Sequence, residues 1–197
     1  MNLGWKLAQV VKGQSPENLL DTYHSERHPV GARVLRNTMA QVALVSADPR
    51  HKALQDTMTG LLAMDEPRKY IAGMLSGLDI HYDFGEGHPL LGRRMPDLDL
   101  ETDDGPTRVS TLLHDGRPLL LNFGASGSLD VSPWSDRVRL VDARYEGEWE
   151  LPVLGVMASP QVVVIRPDGY VAWVGETKDV GLAEALATWF GEAESPR

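Results

Sequence analysis

The sequence predicts an α+β fold, helical first and mixed afterwards, on three observations. Apolar residues recur at helical spacing through the first 78 residues, with no strand-like run among them. β-rich runs then stand at 119–123, 161–165 and 170–174. Between the last two, Arg166-Pro167-Asp168-Gly169 marks a hairpin, because glycine supplies the positive φ that a tight turn needs.

Leu3, Leu7, Val10 and Val11 define a first helix that Gly13 ends. Ser15 before Pro16 and Glu17 predicts an N-cap followed by proline at the first helical position. Leu19, Tyr23, Val30, Val34 and Leu35 continue a helical face, and Pro29 within it predicts a kink or a break near His28. Asp48 and Pro49 open another helix, with Leu54, Met58, Leu61 and Leu62 as its apolar stripe. Pro67 opens a short helix through Leu75, and Gly77 stops it. Residues 79–97 are rich in glycine, proline and charge and read as a connector. Beyond them, Leu119–Phe123 reads as a buried strand and Leu151–Met157 as an extended segment. Gln161–Ile165 and Tyr170–Val174 read as a hairpin, and Val180–Phe190 as a closing helix with Leu182, Ala185, Leu186 and Trp189 on one face. The division is therefore a helical segment over 1–78, a linker over 79–97 and a last domain over 98–197. The helix that starts at residue 3 needs a surface for its apolar side: an upstream domain, another chain, or the other helices here.

Composition narrows the function classes. Apolar content of 42% and charged content of 24% are ordinary for a globular domain. No run approaches the roughly 18 apolar residues of a membrane span. MNLGWKLAQVVKG lacks the small-residue cleavage site of a signal peptide. The chain has no cysteine, which removes disulfides, thiol redox chemistry and thiolate metal sites together and fits a cytoplasmic protein. Net charge is −9. Residues 1–78 carry nine Lys+Arg against seven Asp+Glu, and residues 79–197 carry ten against twenty-one. So acidic a second half repels phosphates, which argues against a nucleic-acid partner.

Candidate motifs resolve mostly into structure. Gly85-Glu86-Gly87 lacks the third glycine of a dinucleotide loop, since position 90 is Leu90, and no strand-then-helix context surrounds it. His24 and His28 stand four apart on one helix face, yet Ser25-Glu26-Arg27 between them is not a zincin pattern and no third ligand is obvious. Ser126 and Ser128 sit in Gly124-Ala125-Ser126-Gly127-Ser128, which is not G-x-S-x-G, and His114 and Asp142 have no recognisable triad spacing. Trp5, Trp134, Trp149, Trp173 and Trp189 read as packing residues, with Trp5 the one expected to be left exposed. These residues assign no catalytic, cofactor-binding or metal position.

A resemblance adds what the pattern alone does not. NLGWKLAQVVKGQSPENLLDTYHSERHPVGARVL, at 2–35, and HPLLGRRMPDLDL, at 88–100, resemble the class A flavoprotein monooxygenases, relatives of para-hydroxybenzoate hydroxylase, and most of all the aromatic polyketide hydroxylases. The resemblance implies FAD, NAD(P)H and dioxygen used to hydroxylate an aromatic or polyketide small molecule. It also implies that the last domain is thioredoxin-like. LLLNFGAS, at 119–126, resembles the strand leading to a thioredoxin active site, with Ala125-Ser126-Gly127-Ser128 where a redox thioredoxin has Cys-x-x-Cys. Without a thiolate, disulfide exchange is not available. By the same resemblance Ser159-Pro160 is expected to be cis. Glu26 and Arg27 match charged helix positions of the family, and Arg27 is expected to pair with a carboxylate or cap backbone carbonyls of the flavin domain that the family carries ahead of these residues. The family's glycine loop, arginine segment and GD motif would all precede residue 2. The chain is then expected to be a carboxy-terminal portion that neither holds FAD nor turns over alone. The alternative is a standalone non-catalytic thioredoxin-like binding module, and in either case self-association or a partner chain through the first helices is expected.

Overall fold

The computed structural model describes residues 1–45, 48–151, 154–176 and 181–193. Helix α1 (Asn2–Val11) ends where Gly13 takes φ +67°. A 3-10 turn over Glu17–Leu20 leads directly into α2 (Asp21–Leu44). Ser15 does not cap it. Pro16 occupies the cap, and the Ser15 hydroxyl donates instead to Gln9 Oε1 at 2.6 Å, closing the turn back onto α1. Nor does Pro29 break α2, which runs through it. Proline costs the hydrogen bond to the Ser25 carbonyl, but Ser25 and Pro29 both face solvent, where water can take that carbonyl's place. Helix α3 (Pro49–Leu62) starts as expected: the Asp48 side chain accepts from the Arg50 N–H and proline sits at the first position. Helix α4 (Asp65–Ser76) stops at Gly77, in the left-handed conformation.

The second half is built on a six-stranded mixed sheet in the order β2-β1-β4-β3-β7-β8. Its strands are β1 (Asp99–Thr102), β2 (Gly105–Arg108), β3 (Leu119–Asn122), β4 (Arg139–Arg144), β7 (Val162–Ile165) and β8 (Val171–Gly175). β3 and β4 are parallel, and the other pairs are antiparallel. A separate hairpin joins β5 (Trp149–Leu151) to β6 (Gly155–Met157). A short helix α5 (Val109–Leu112) follows β2, and α6 (Gly181–Phe190) closes the chain's described part. This is a thioredoxin-like α/β domain without cysteines. The expected helix start at Val180 lies outside the described residues.

Central strands β3 and β7 are apolar on both faces, as strands covered on both sides must be. Alternation sends Leu119, Leu121, Val163 and Ile165 into one core with Leu90, Leu98, Leu112 and Trp149. It sends Leu120, Val162 and Val164 into a second core with Trp134, Leu186, Trp189 and Phe190. Trp5 and Leu19, from the helical first part, belong to that second core. Trp5 is therefore buried, against expectation, because α1 lies on the face of the sheet that carries α6. The outward side of α1 carries Leu3, Leu7 and Val11 instead.

Residues 79–97 have no regular element, yet Tyr82, Leu90 and Met95 are buried. The stretch lies along the edge of β8: Gly92 N–H donates to the Val171 carbonyl, and Val171 N–H donates back to Arg93. Ser159–Pro160 is trans, correcting the expected cis bond. Trans is the lower-energy form by about 0.5–1 kcal/mol. The chain runs from β6 to β7 here without a tight turn that would demand cis, and Gln161 still places its carbonyl 2.7 Å from Phe123 N.

Candidate functional site

The most concentrated chemistry in the molecule lies where α1 and α2 meet the β7–β8 hairpin. Lys6 projects from the inner side of α1 and Glu26 from α2, while the hairpin turn presents Arg166 and Asp168. Arg166 forks onto Glu26, Nη1 to Oε1 at 2.7 Å and Nη2 to Oε2 at 2.8 Å. It also donates from Nε and Nη2 to Asp168 at 3.0 and 2.6 Å. Lys6 Nζ reaches Glu26 Oε1 at 2.8 Å, Asn2 Nδ2 reaches Oε2 at 2.6 Å, and Trp5 Nε1 donates to Asp168 Oδ2 at 3.2 Å. The Lys6 and Arg166 side chains are 0% exposed, and those of Glu26 and Asp168 are 3% exposed. Two cations against two carboxylates leave no net charge in the interior, the condition under which such burial is tolerable.

Aromatic rings complete the enclosure. The Arg166 guanidinium carbon lies 4.8 Å from the Trp189 ring centroid, 5.2 Å from Trp5, 5.3 Å from Phe84, 5.5 Å from Tyr82 and 6.0 Å from Tyr170. Ring faces attract a cation that has lost its water. Burial works to push the Glu26 carboxyl up, but the Arg166 fork, with help from Lys6 and Asn2, holds it below its ordinary value. Burial also works against the Arg166 charge, and the two carboxylates more than offset it, so Arg166 is raised. Lys6 goes the other way: burial lowers it despite Glu26. Every strong donor in this cluster is engaged with a fixed acceptor, so it can orient elements but offers no free acid or base.

Arg27, next to Glu26, meets no carboxylate among the described residues. Its Nη1 donates to the Tyr82 hydroxyl at 3.2 Å, which raises the guanidinium further. Tyr82 in turn stacks near Tyr170, ring centroids 4.3 Å apart. The Tyr170 phenol is raised by burial and then by Tyr82. Arg27, Tyr82 and Tyr170 line a cavity of about 750 Å³ together with Tyr23, Arg94 and His114.

The loop standing where a redox thioredoxin would carry its thiols is tied down by Asp142. Ser126 Oγ donates to Asp142 Oδ2 at 2.8 Å, Gly127 N–H to the same oxygen at 3.0 Å, and Asn122 Nδ2 to Oδ1 at 2.6 Å. Asn122 also reaches Ser128 Oγ and accepts from Gly124 N–H. Burial works to raise Asp142, but these donors, Asn122 first, keep it below the ordinary carboxylate value. Asp142 thus holds the loop rather than activating a serine. His114 belongs to the cavity lining and makes no hydrogen bond with Ser126, Ser128 or Asp142. His24 and His28 stack on the exposed side of α2 with ring centroids 5.0 Å apart. Gly85 and Gly87 sit exposed in the connector, where Asp83 Oδ1 accepts from Gly85 N–H.

Sequence reasoning singled out Glu26 but missed Lys6, Arg166 and Asp168. One signal was readable: an arginine directly abutting Val162–Ile165, a strand buried on both faces, has no route to solvent and needs an anion. No flavin cradle is assembled from the described residues.

The family described as "Aromatic-ring hydroxylase, C-terminal" matches residues 88–193, and the "FAD binding domain" family matches residues 1–38. The chain is 45% identical over 195 residues to 12-dehydrotetracycline 5-monooxygenase/anhydrotetracycline 6-monooxygenase of Streptomyces rimosus, covering 97% of this chain and 38% of that protein. It is 43% identical to a rifampicin monooxygenase of Streptomyces venezuelae, covering 98% of this chain and 37% of the relative. The solved structure of the anhydrotetracycline hydroxylase OxyS from Streptomyces rimosus superposes with a TM-score of 0.85 at 42% identity, over 98% of this chain and 40% of that one. The chain therefore spans under half the length of these relatives, and from first helix to last it belongs to the aromatic-ring hydroxylase family of monooxygenases.

Proposed function

We propose that this chain is the carboxy-terminal portion of an FAD-dependent, NAD(P)H-using monooxygenase that hydroxylates an aromatic, polyketide-type small molecule, and that by itself it neither holds FAD nor turns over. The observation that carries the reading is the outer face of α1. Leu3, Leu7 and Val11 follow one another at helical spacing and are exposed, while Trp5 and Lys6 are committed to the hairpin. A helix whose one side is buried and whose other side carries an exposed apolar stripe is a helix packed between two bodies. One body is the thioredoxin-like domain. The other, in the relatives, has some three-fifths of the chain from which to be built, since this segment covers 38% of the first of them. That larger part would hold the flavin and the ring substrate. In the whole enzyme FAD would supply the redox chemistry, and the residues here would supply placement of the last flavin-domain helices.

The test is to read the coding sequence ahead of residue 1. An in-frame continuation that encodes a glycine loop after a first strand, and later a GD motif, supports the reading. A stop codon with a ribosome site immediately ahead of residue 1 would overturn it in favour of a standalone, non-catalytic module.

A further inference from the structure

We propose a function for the cysteine-free thioredoxin-like domain: it is a brace that fixes the pose of α1 and α2, with Arg166 as its positioning residue. What those helices do in the whole enzyme rests on the flavin reading above. The brace itself does not.

The cluster is made from both halves of the chain. Lys6 and Glu26 lie in the segment matched by the FAD-binding family, and Arg166 and Asp168 in the segment matched by the hydroxylase carboxy-terminal family. The join is directional. Two parallel N–H···O bonds between a planar guanidinium and a carboxylate fix distance and rotation together, which apolar contact alone does not do. Lys6 fastens α1 to that same carboxylate. Both buried side chains of α1, Trp5 and Lys6, reach this cluster, Trp5 through Asp168 and Lys6 through Glu26.

The hairpin end of the brace is stiff. Gly169 N–H donates to the Arg166 carbonyl at 2.8 Å, Arg166 N–H to Tyr170 at 2.9 Å, and β7 behind them is wholly buried. Four buried charges are a poor source of net stability compared with packed hydrocarbon. What they supply is one register, because any sliding of α2 along the sheet would strand a charge out of reach of its partner. Bracing needs no thiol, and so is open to a domain that has none.

The test is hydrogen–deuterium exchange on the full 197-residue chain, without flavin. In Glu26→Gln and Arg166→Met, amides over 2–11 and 21–30 are expected to exchange at least about ten-fold faster than in the wild type, as expected when a local opening loses its restraint. Amides over 119–122 and 139–144 should stay within about two-fold. Arg166→Lys, which keeps the charge but loses the fork, should fall between. The Trp5–Trp189 pair, ring centroids 6.5 Å apart, is expected to give an exciton couplet from the strong indole band in far-ultraviolet circular dichroism. The couplet should vanish in Glu26→Gln and persist in part in Arg166→Lys. Unchanged exchange in 2–11 would overturn the brace, and so would protection lost evenly across the sheet. If Arg166→Met does not fold, Glu26→Gln decides. If neither folds, the cluster holds the core as a whole and the brace is refuted. Because no flavin is present, failure here leaves the flavin reading standing, and failure of that reading leaves this result standing.

Discussion

Glu26 accepts four hydrogen bonds on two oxygens, from Arg166 twice and from Lys6 and Asn2 once each. Replacing it leaves two buried cations facing Asp168 alone and removes four hydrogen bonds, whereas replacing Lys6 leaves Arg166 between two carboxylates and removes one. Glu26→Gln should therefore cost about 3–5 kcal/mol of unfolding free energy, and Lys6→Met less than Glu26→Gln, because it breaks one hydrogen bond of the cluster rather than four. Urea denaturation of the two variants checks the order. The pH dependence follows from the same group. Glu26 sits below its ordinary 4.5, so its contribution is full above that value and is lost as pH falls through the lower folded value. The urea midpoint of the wild type should fall between pH 7 and pH 4 by more than that of Glu26→Gln. Lys6, lowered from 10.5, adds a second rise in stability with pH, on the alkaline side below that value. Little of this was legible in sequence. Glu26 could be marked as a charged helix position, but its partner stands 140 residues away, and no local pattern reports a pairing at that separation.

Elements were easier to read than their faces. Helices α1, α3 and α4 were legible from period and caps, and β3, β7 and β8 from short apolar runs beside a proline–glycine turn. Strand β4 was not, because Arg139-Leu140-Val141-Asp142-Ala143-Arg144 mixes charge with apolar residues and draws its place from parallel pairing with β3. The apolar stripe of α1 was legible as a stripe, and the surface it meets was left open between an upstream domain, another chain and the other helices. Periodicity gives a helix a face but not a neighbour, and here Trp5 and Lys6 take the inner side. The connector was opaque for a related reason: Tyr82 and Leu90 are buried by irregular chain, which has no period to detect. Gly92 marks how closely that chain runs. It sits at φ +72°, and a methyl group there would collide with the Tyr82 carbonyl. Gly92→Ala should lower stability by about 1–2 kcal/mol from the left-handed backbone alone, with the collision adding to it. Thermal unfolding measures this, and Gly116→Ala, at φ +70° in open space, separates the two contributions.

On the scale of the whole molecule, the two matched segments form one interlocked body. Trp5 and Leu19 belong to the core of the carboxy-terminal sheet, and the Lys6–Glu26–Arg166–Asp168 cluster bolts the segments together. What stays exposed is apolar and helical: Leu3, Leu7 and Val11 on α1, then Val34, Leu35, Met39 and Val42 along the second half of α2. Such a surface is unusual for a finished globular face and usual for one that meets another body. Family membership was legible in the sequence because it lives in long ordered stretches such as residues 2–35. The interlock was not, because it exists only after folding. We propose that the flavin is held by a part of the enzyme outside these residues, with this segment placing the helices that complete it. Titration of the purified 197-residue chain with FAD, followed by flavin fluorescence and visible absorbance, tests it most directly. No saturable quenching and a colourless protein after desalting are expected, and a yellow preparation with near-stoichiometric bound flavin would contradict the proposal.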